Sequence, residues 1–277
     1  MRSLGEVAER LRRSTVQVFS GGRERGAGSG VVWSADGLIV TNDHVARSNG
    51  ASVELWDGRR LEARVTAHDS RRDLAALRVT ASDLMAAASG DSAALRPGEL
   101  ALAIGNPLGF TGALTTGVIH SMGRLPGMGN QAWVCATVRL APGNSGGPLA
   151  NASGEVIGIN TAIAHGLALA VPSRDVLAFL RRGSRPRLGV ALRPVALENG
   201  RLGLLILEVE PGGAADTASL RMGDVLTGVN GQRLDSIDAL GDALDASAGP
   251  VRLQFLRGDR SSVREAVARL PARAEAA

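Results

Sequence analysis

The sequence predicts a mainly β protein, a closed antiparallel barrel or sandwich of many short strands followed by a smaller module that mixes strands with one clear helix. Three observations carry this reading. Short apolar runs alternate with glycine, proline and Asp-Gly turn signals. No alternating strand–helix pattern, the mark of a parallel sheet with helical crossovers, runs through the first part of the chain. Near Pro172 the spacing becomes helical, and Ser184-Arg185-Pro186-Arg187 then reads as a linker, so domains are expected at 1–183 and 187–271. A chain of 277 residues accommodates both.

In chain order, Ser3 and Glu6 form an S-x-x-E capping box, and Leu4, Val7 and Leu11 follow at helical spacing, so a short helix ending by Ser14 is expected. Thr15-Val16-Gln17-Val18-Phe19 reads as a strand and 21–28 as a flexible glycine loop. Gly28-Ser29-Gly30-Val31-Val32-Trp33 begins a second strand, Ala35-Asp36-Gly37 turns tightly, and Leu38-Ile39-Val40-Thr41-Asn42 returns, leaving His44 just beyond its end. Ser52-Val53-Glu54-Leu55-Trp56 runs into an Asp57-Gly58 hairpin turn. In the returning strand, Leu61, Ala63 and Val65 share one face. A polar turn over 68–72 is expected before Asp73, which opens the strand Leu74-Ala75-Ala76-Leu77-Arg78-Val79. Further strands are expected at 100–104, 112–121, 133–138 and 155–160, with a loop over 123–131. Ser173 is placed as the cap of a helix that turns Val176, Phe179 and Leu180 inward. In the second module, 204–209 and 251–255 read as strands, and Ile237, Leu240 and Leu244 mark an amphipathic helix.

Composition narrows the function classes. Hydrophobic residues make up 44% but aromatics only 3%, with no tyrosine, so the core rests on Ala, Val, Leu and Ile. The net charge of +4 and a pI near 10.8 suggest a nucleic-acid binder. Yet lysine is absent, and with neither Lys nor Tyr to titrate the pI climbs to the arginine range on a small excess of charge. The 31 arginines are scattered among 27 acidic residues with no basic run, which speaks against nucleic acid as a partner. The single cysteine, Cys135, excludes an intrachain disulfide, and no Cys/His cluster has metal-ligand spacing. Residues 1–13 carry charges throughout and lack the apolar stretch of a signal peptide. No run of about 18 apolar residues suggests a membrane span. The chain as written is expected in the cytoplasm, or outside it if a leader is missing.

The chemistry gathers at Gly143-Asn144-Ser145-Gly146-Gly147-Pro148. A serine hydroxyl is a poor nucleophile without a general base and a group that orients the base. Glycines beside it let the backbone turn N–H groups, here those of Gly143, Asn144 and Ser145, toward a developing oxyanion. An ordinary glycine turn is the alternative for this stretch alone. His44, Asp73 and Ser145 stand in that order, each at a strand end or in a loop. A nucleophile elbow of the α/β-hydrolase kind needs acid and then histidine after the serine, and the only acid between Ser145 and the last histidine is Glu155, at the mouth of the next strand. Asp69 is a rival acid. His68, His120 and His165 match no motif and are read as structural or exposed.

The order His, Asp, Ser in an all-β frame resembles the chymotrypsin-like double-barrel proteases. Gly28-Ser29-Gly30-Val31-Val32, Thr41-Asn42-Asp43-His44-Val45, Asp73-Leu74-Ala75-Ala76-Leu77, Gly105-Asn106-Pro107, the serine loop and Gly158-Ile159-Asn160-Thr161-Ala162 narrow the resemblance to the HtrA (Deg) family. Leu188-Gly189-Val190 and 223–231 resemble a PDZ domain. The resemblance implies Ser145 as nucleophile, His44 as base then acid, and Asp73 as the orienting carboxylate. It implies a peptide-carboxylate loop at Leu188, Gly189 and Val190, beside a helix bearing Ile237, Leu240 and Leu244. It places Arg139 near the primary specificity pocket with Ile159 and Asn160; a buried unpaired guanidinium is costly, so Arg139 is expected to point outward. Thr137 and Ala141 replace an aspartate and an asparagine common in the family. The resemblance also implies a trimer joined by aromatic residues near the N-terminus, where Phe19 is the only aromatic before the first hairpin. The expected function is a cofactor-free serine endopeptidase acting on unfolded polypeptides and binding peptide C-termini. The competing class is an inert peptide-binding chaperone or scaffold on the same fold.

Overall fold

The computed structural model describes residues 3–20, 28–46, 50–106, 112–128, 131–182, 188–197, 200–234, 236–247, 249–258 and 262–270. The glycine loop before Gly28 and the Ser184-Arg185-Pro186-Arg187 linker lie outside them. The chain divides into two compact units, Met1–Ser184 and Arg185–Arg273.

The first unit opens with α1 (Leu4–Arg13), started by the Ser3–Glu6 capping box and anchored by Val7 and Leu11. Strands β1 (Thr15–Ser20), β2 (Gly28–Val32), β3 (Leu38–Thr41), β4 (Ala51–Glu54), β5 (Arg60–Asp69) and β6 (Leu74–Val79) close a barrel in the order β1-β2-β3-β6-β5-β4. Strands β7 (Leu100–Gly105), β8 (Ala113–Arg124), β9 (Ala132–Ala136), β10 (Pro148–Ala150), β11 (Val156–Ala164) and β12 (Leu167–Pro172) close a second, in the order β10-β11-β12-β9-β8-β7. Helix α2 (Ser173–Arg182) follows. Each barrel has an interior cluster, around Val16, Ile39 and Leu77 in the first and Ala101, Ile119 and Leu149 in the second. A third cluster joins them, bringing Val40 and Leu74 against Leu102, Ile159 and Leu169, with α1 and α2 contributing Leu11 and Phe179.

That third cluster explains the burial patterns. Every residue of β2 and β3 is buried, because one face fills a barrel and the other meets the neighbouring barrel. Strand β8 has one face to solvent and alternates along its whole length.

Several sequence expectations change. The polar turn expected over 68–72 is shorter, since His68 and Asp69 pair with Ala75 and Leu74 as the end of β5. Short β10 and β12, the return of the β11 hairpin, are strands that the sequence reading does not place. Ser173 is the first residue of α2 and its hydroxyl donates to the Gly90 carbonyl (2.7 Å), while Ser92 Oγ accepts from the Arg174 N–H (3.2 Å) and so caps the helix from another loop. Phe19 is 6% exposed and lies under the Arg60 guanidinium at 4.0 Å.

In the second unit, β13 (Val190–Ala196), β14 (Leu202–Val209), β15 (Val225–Val229), β17 (Val251–Leu256) and β18 (Val263–Ala268) form a sheet in that order, with β16 (Gln232–Arg233) paired to β15. Helices α3 (Ala214–Thr217) and α4 (Ile237–Ala246) belong to the same unit, and Leu240 and Leu244 of α4 lie in its core with Leu204, Ile206 and Leu253.

Candidate active site

Barrel closure brings distant residues together. Strands β3 and β6 are neighbours, with Thr41 opposite Ala75, so the turn after β3 and the residue before β6 meet at one barrel end. Asn42 starts that turn by accepting from the Val45 and Ala46 N–H groups at 3.2 and 3.3 Å. It presents His44, whose backbone N–H donates to Asp73 Oδ1 (2.9 Å) and whose Nδ1 faces Asp73 Oδ2 at 2.7 Å. Nδ1 opposite a carboxylate must carry the proton, which leaves Nε2 as the basic nitrogen. Asp73 adopts φ of 55°, a left-handed conformation that aspartate tolerates better than most side chains. Asp69, the rival acid, holds Arg72 through both its backbone N–H and its guanidinium (each 3.1 Å).

Ser145 lies in the loop between β9 and β10, where the two barrels meet. Its carbonyl accepts from Ser29 N–H of β2 (2.8 Å), and the Gly146 N–H donates to the Asn160 carbonyl of β11 (2.8 Å). Gly146 has φ of 86°, and a Cβ there would collide with the Ser29 carbonyl and the Thr41 hydroxyl. Only glycine fits. Gly143 also has positive φ, 105°. Its carbonyl accepts from Ser29 Oγ (2.7 Å), and that hydroxyl in turn accepts from Asn106 N–H (3.0 Å) and Nδ2 (3.3 Å). The Asn144 N–H is engaged with the Ala141 carbonyl (3.0 Å). Among the described residues the N–H groups of Gly143 and Ser145 donate to no protein acceptor, whereas that of Asn144 does.

The Ser145 hydroxyl donates to the Thr161 carbonyl (3.3 Å) and not to the His44 ring. Thr161 is itself tied back to the first barrel: Asn42 Nδ2 donates both to the Asp73 carbonyl (2.8 Å) and to Thr161 Oγ1 (2.9 Å). One fully buried asparagine thus links the Asp73 backbone to Thr161, whose carbonyl accepts from the Ser145 hydroxyl. Ser29, Asn42, Asn106 and Thr161 were not singled out from the sequence as site residues. All four sit inside the short runs that carried the resemblance, where only the glycines and the triad had an evident purpose.

Of the residues the resemblance assigns to a specificity pocket, Arg139 is exposed, while Ile159 and Asn160 are fully buried. Asn160 Nδ2 holds the Pro148 carbonyl (2.8 Å), so it braces the serine loop. Thr137 uses its hydroxyl to accept from Val118 N–H (3.0 Å) of β8. In the second unit, Leu188 is 3% exposed and joins the core with Leu240 and Leu244, so these three shape the unit from inside, whereas Ile237 is exposed. Gly189 has φ of 75°, Val190 starts β13, and that strand forms one end of the sheet order. Among the described residues no group of three or more His, Cys, Asp or Glu could hold a metal ion, and no helix is long and apolar enough to cross a membrane.

The sequence profile of the trypsin-like peptidase domain matches residues 28–159, which contain His44, Asp73 and Ser145, and that of the PDZ domain matches 205–257. HhoB of Synechocystis, a serine protease by name, is 35% identical over 86% of this chain and 65% of its own length. In sequence and in fold the chain resembles the HtrA-type serine proteases. A DegP-like relative from Halomonas elongata, named as a periplasmic serine endoprotease, is 39% identical over 78% of this chain and 50% of its own length. The chain therefore spans between half and two thirds of these curated relatives. Among solved structures, the HtrA-type protease AlgW with a tripeptide matches with a TM-score of 0.64 and 28% identity over 97% of both chains. The serine endoprotease from Yersinia pestis matches with a TM-score of 0.61 and 26% identity over 98% of both.

Proposed function

We propose that this chain is an HtrA-type serine endopeptidase that cleaves unfolded polypeptides through an acyl-enzyme, with the peptidase domain over 1–183 and the PDZ domain over 187–271. The observation that carries the reading is the 2.7 Å contact of His44 Nδ1 with Asp73, which fixes the tautomer a general base requires. Ser145 leaves the Thr161 carbonyl to donate to His44 Nε2 as the scissile carbonyl arrives. Its Oγ attacks that carbon, His44 takes the proton, and the N–H groups of Gly143 and Ser145 stabilise the oxyanion. His44 then protonates the departing amine, and water repeats the sequence in reverse to release the acid. Asp73 stays ionised and steadies the imidazolium. The chain's own groups suffice for each step.

For the PDZ domain we propose peptide C-terminus recognition at Leu188, Gly189 and Val190, with strand addition along β13. The peptide named in the AlgW structure supports this use of the fold. An extracytoplasmic location follows the periplasmic naming of the DegP-like relatives. Incubation with a fluorophosphonate probe and unfolded casein, beside Ser145→Ala, tests the reaction. Labelling and cleavage that vanish in the variant are expected. Wild-type protein that does neither, yet binds peptides, would establish the chaperone or scaffold reading instead.

A further inference from the structure

The catalytic pair is not the only Asp–His pair in this turn. Asp43, the residue before His44, is 1% exposed, and its Oδ1 lies 2.5 Å from His68 Nδ1. His68 belongs to β5, opposite Ala75, next to the strand that Asp73 opens. Consecutive residues of one turn therefore reach across to the same two strands with the roles exchanged: Asp43 to a histidine, His44 to an aspartate. With Asn42 Nδ2 on the Asp73 carbonyl, three residues in a row fasten the turn to the β5–β6 pair.

A β-bulge makes this possible. The β5–β6 register shifts between Val65 and Ala67, so Ala67 pairs with Ala76 where an unbroken ladder would put Thr66. The shift reverses the faces. Val65 packs on the interior cluster of the first barrel, whereas Ala67 joins the cluster between barrels. His68 is thereby returned to the side on which Asp43 lies.

We propose that His68 is a positioning residue for His44, acting through Asp43. The inference rests on the triad reading above. A carboxylate with almost no solvent contact is held by its donors, and His68 supplies one of them. Since imidazole donates through Nδ1–H in its neutral and charged forms alike, the clamp does not depend on His68 being protonated. Fixing Asp43 fixes the Cα of its neighbour, and hence the distance from His44 Nε2 to the point where Ser145 must deliver its proton. Displacements of about 1 Å in such a constellation cost on the order of 100-fold in rate.

The test compares His68→Asn with His68→Gln in the full chain. The asparagine amide places an N–H donor near the position of Nδ1; the glutamine amide places one near Nε2, away from Asp43. Expected is a fall in kcat on the order of 10- to 100-fold for His68→Gln with KM little changed, and recovery of most of it by His68→Asn. Proton NMR of the imidazole N–H region supplies a readout independent of turnover, since the chain has only 4 histidines. The His44 Nδ1–H resonance should shift or broaden in His68→Gln and return in His68→Asn. Equal kcat and an unmoved His44 resonance in both variants would overturn the proposal, as would equal losses in both. If the wild type neither labels nor cleaves, the peptidase reading fails and the resonance alone decides the clamp.

Discussion

Replacing Ser29 by alanine tests the proposed oxyanion loop directly. The Ser29 hydroxyl is fully buried, donates to the Gly143 carbonyl and accepts from Asn106 N–H and Nδ2. Alanine leaves the Gly143 carbonyl and the Asn106 N–H without this partner in a dry place. At about 1–3 kcal/mol for each stranded group, the unit loses about 3 kcal/mol of stability. For a unit of this size that lowers the thermal midpoint by about 6–12 °C. The catalytic effect is separate. Removing an oxyanion donor outright costs about 100- to 1,000-fold in kcat, so a Gly143 N–H that remains but is no longer pinned should cost about 10- to 100-fold. Calorimetry gives the first quantity, and hydrolysis of a chromogenic peptide well below the midpoint gives the second. A midpoint within about 2 °C of wild type together with unchanged kcat would refute the claim that Ser29 holds this loop.

Other substitutions probe different parts of the design. Gly146→Ala combines a left-handed residue with a Cβ inside contact of the Ser29 carbonyl and Thr41 hydroxyl; a loss of about 3–5 kcal/mol is expected, read as failure to accumulate folded protein or to label. Arg139→Ala, at an exposed position, should change stability by less than about 0.5 kcal/mol and leave the cleavage profile of a peptide library unaltered; a lost preference for acidic residues would mean the guanidinium faces the pocket. Hydrogen bonds from Arg12 and Arg13 hold the Glu9 carboxyl down from 4.5 to about 2. A lowered folded value gives stabilisation that is present above about 4.5 and lost as pH falls toward about 2. The two guanidinium carbons sit 5.5 and 4.9 Å from the Trp56 ring centroid, so the Trp56 emission should change in that window and stay flat in Glu9→Gln.

How much was legible in the sequence follows a physical divide. Turn chemistry is local, so Asp57-Gly58 and the capping box at Ser3 and Glu6 could be placed from adjacent residues alone. The end of β5 could not. His68 and Asp69 look like a polar turn because their burial comes from β6 and from the turn bearing Asp43, partners defined only by pairing. Ser173 looks like a cap in the sequence, yet the cap comes from Ser92, a residue from another loop.

The sequence by itself determined the order of histidine, aspartate and serine, the glycines that only a sharp turn would demand, and the change from strand spacing to a second module. These are written in residue type and spacing. Only the tertiary structure decided what holds them: Ser29 under the Gly143 carbonyl, Asn42 between Asp73 and Thr161, and His68 against Asp43. Serine, asparagine and histidine are ordinary polar residues in a string. They acquire a role when two barrels close and the space between them excludes water, because each polar group left there must find a partner far away in the chain.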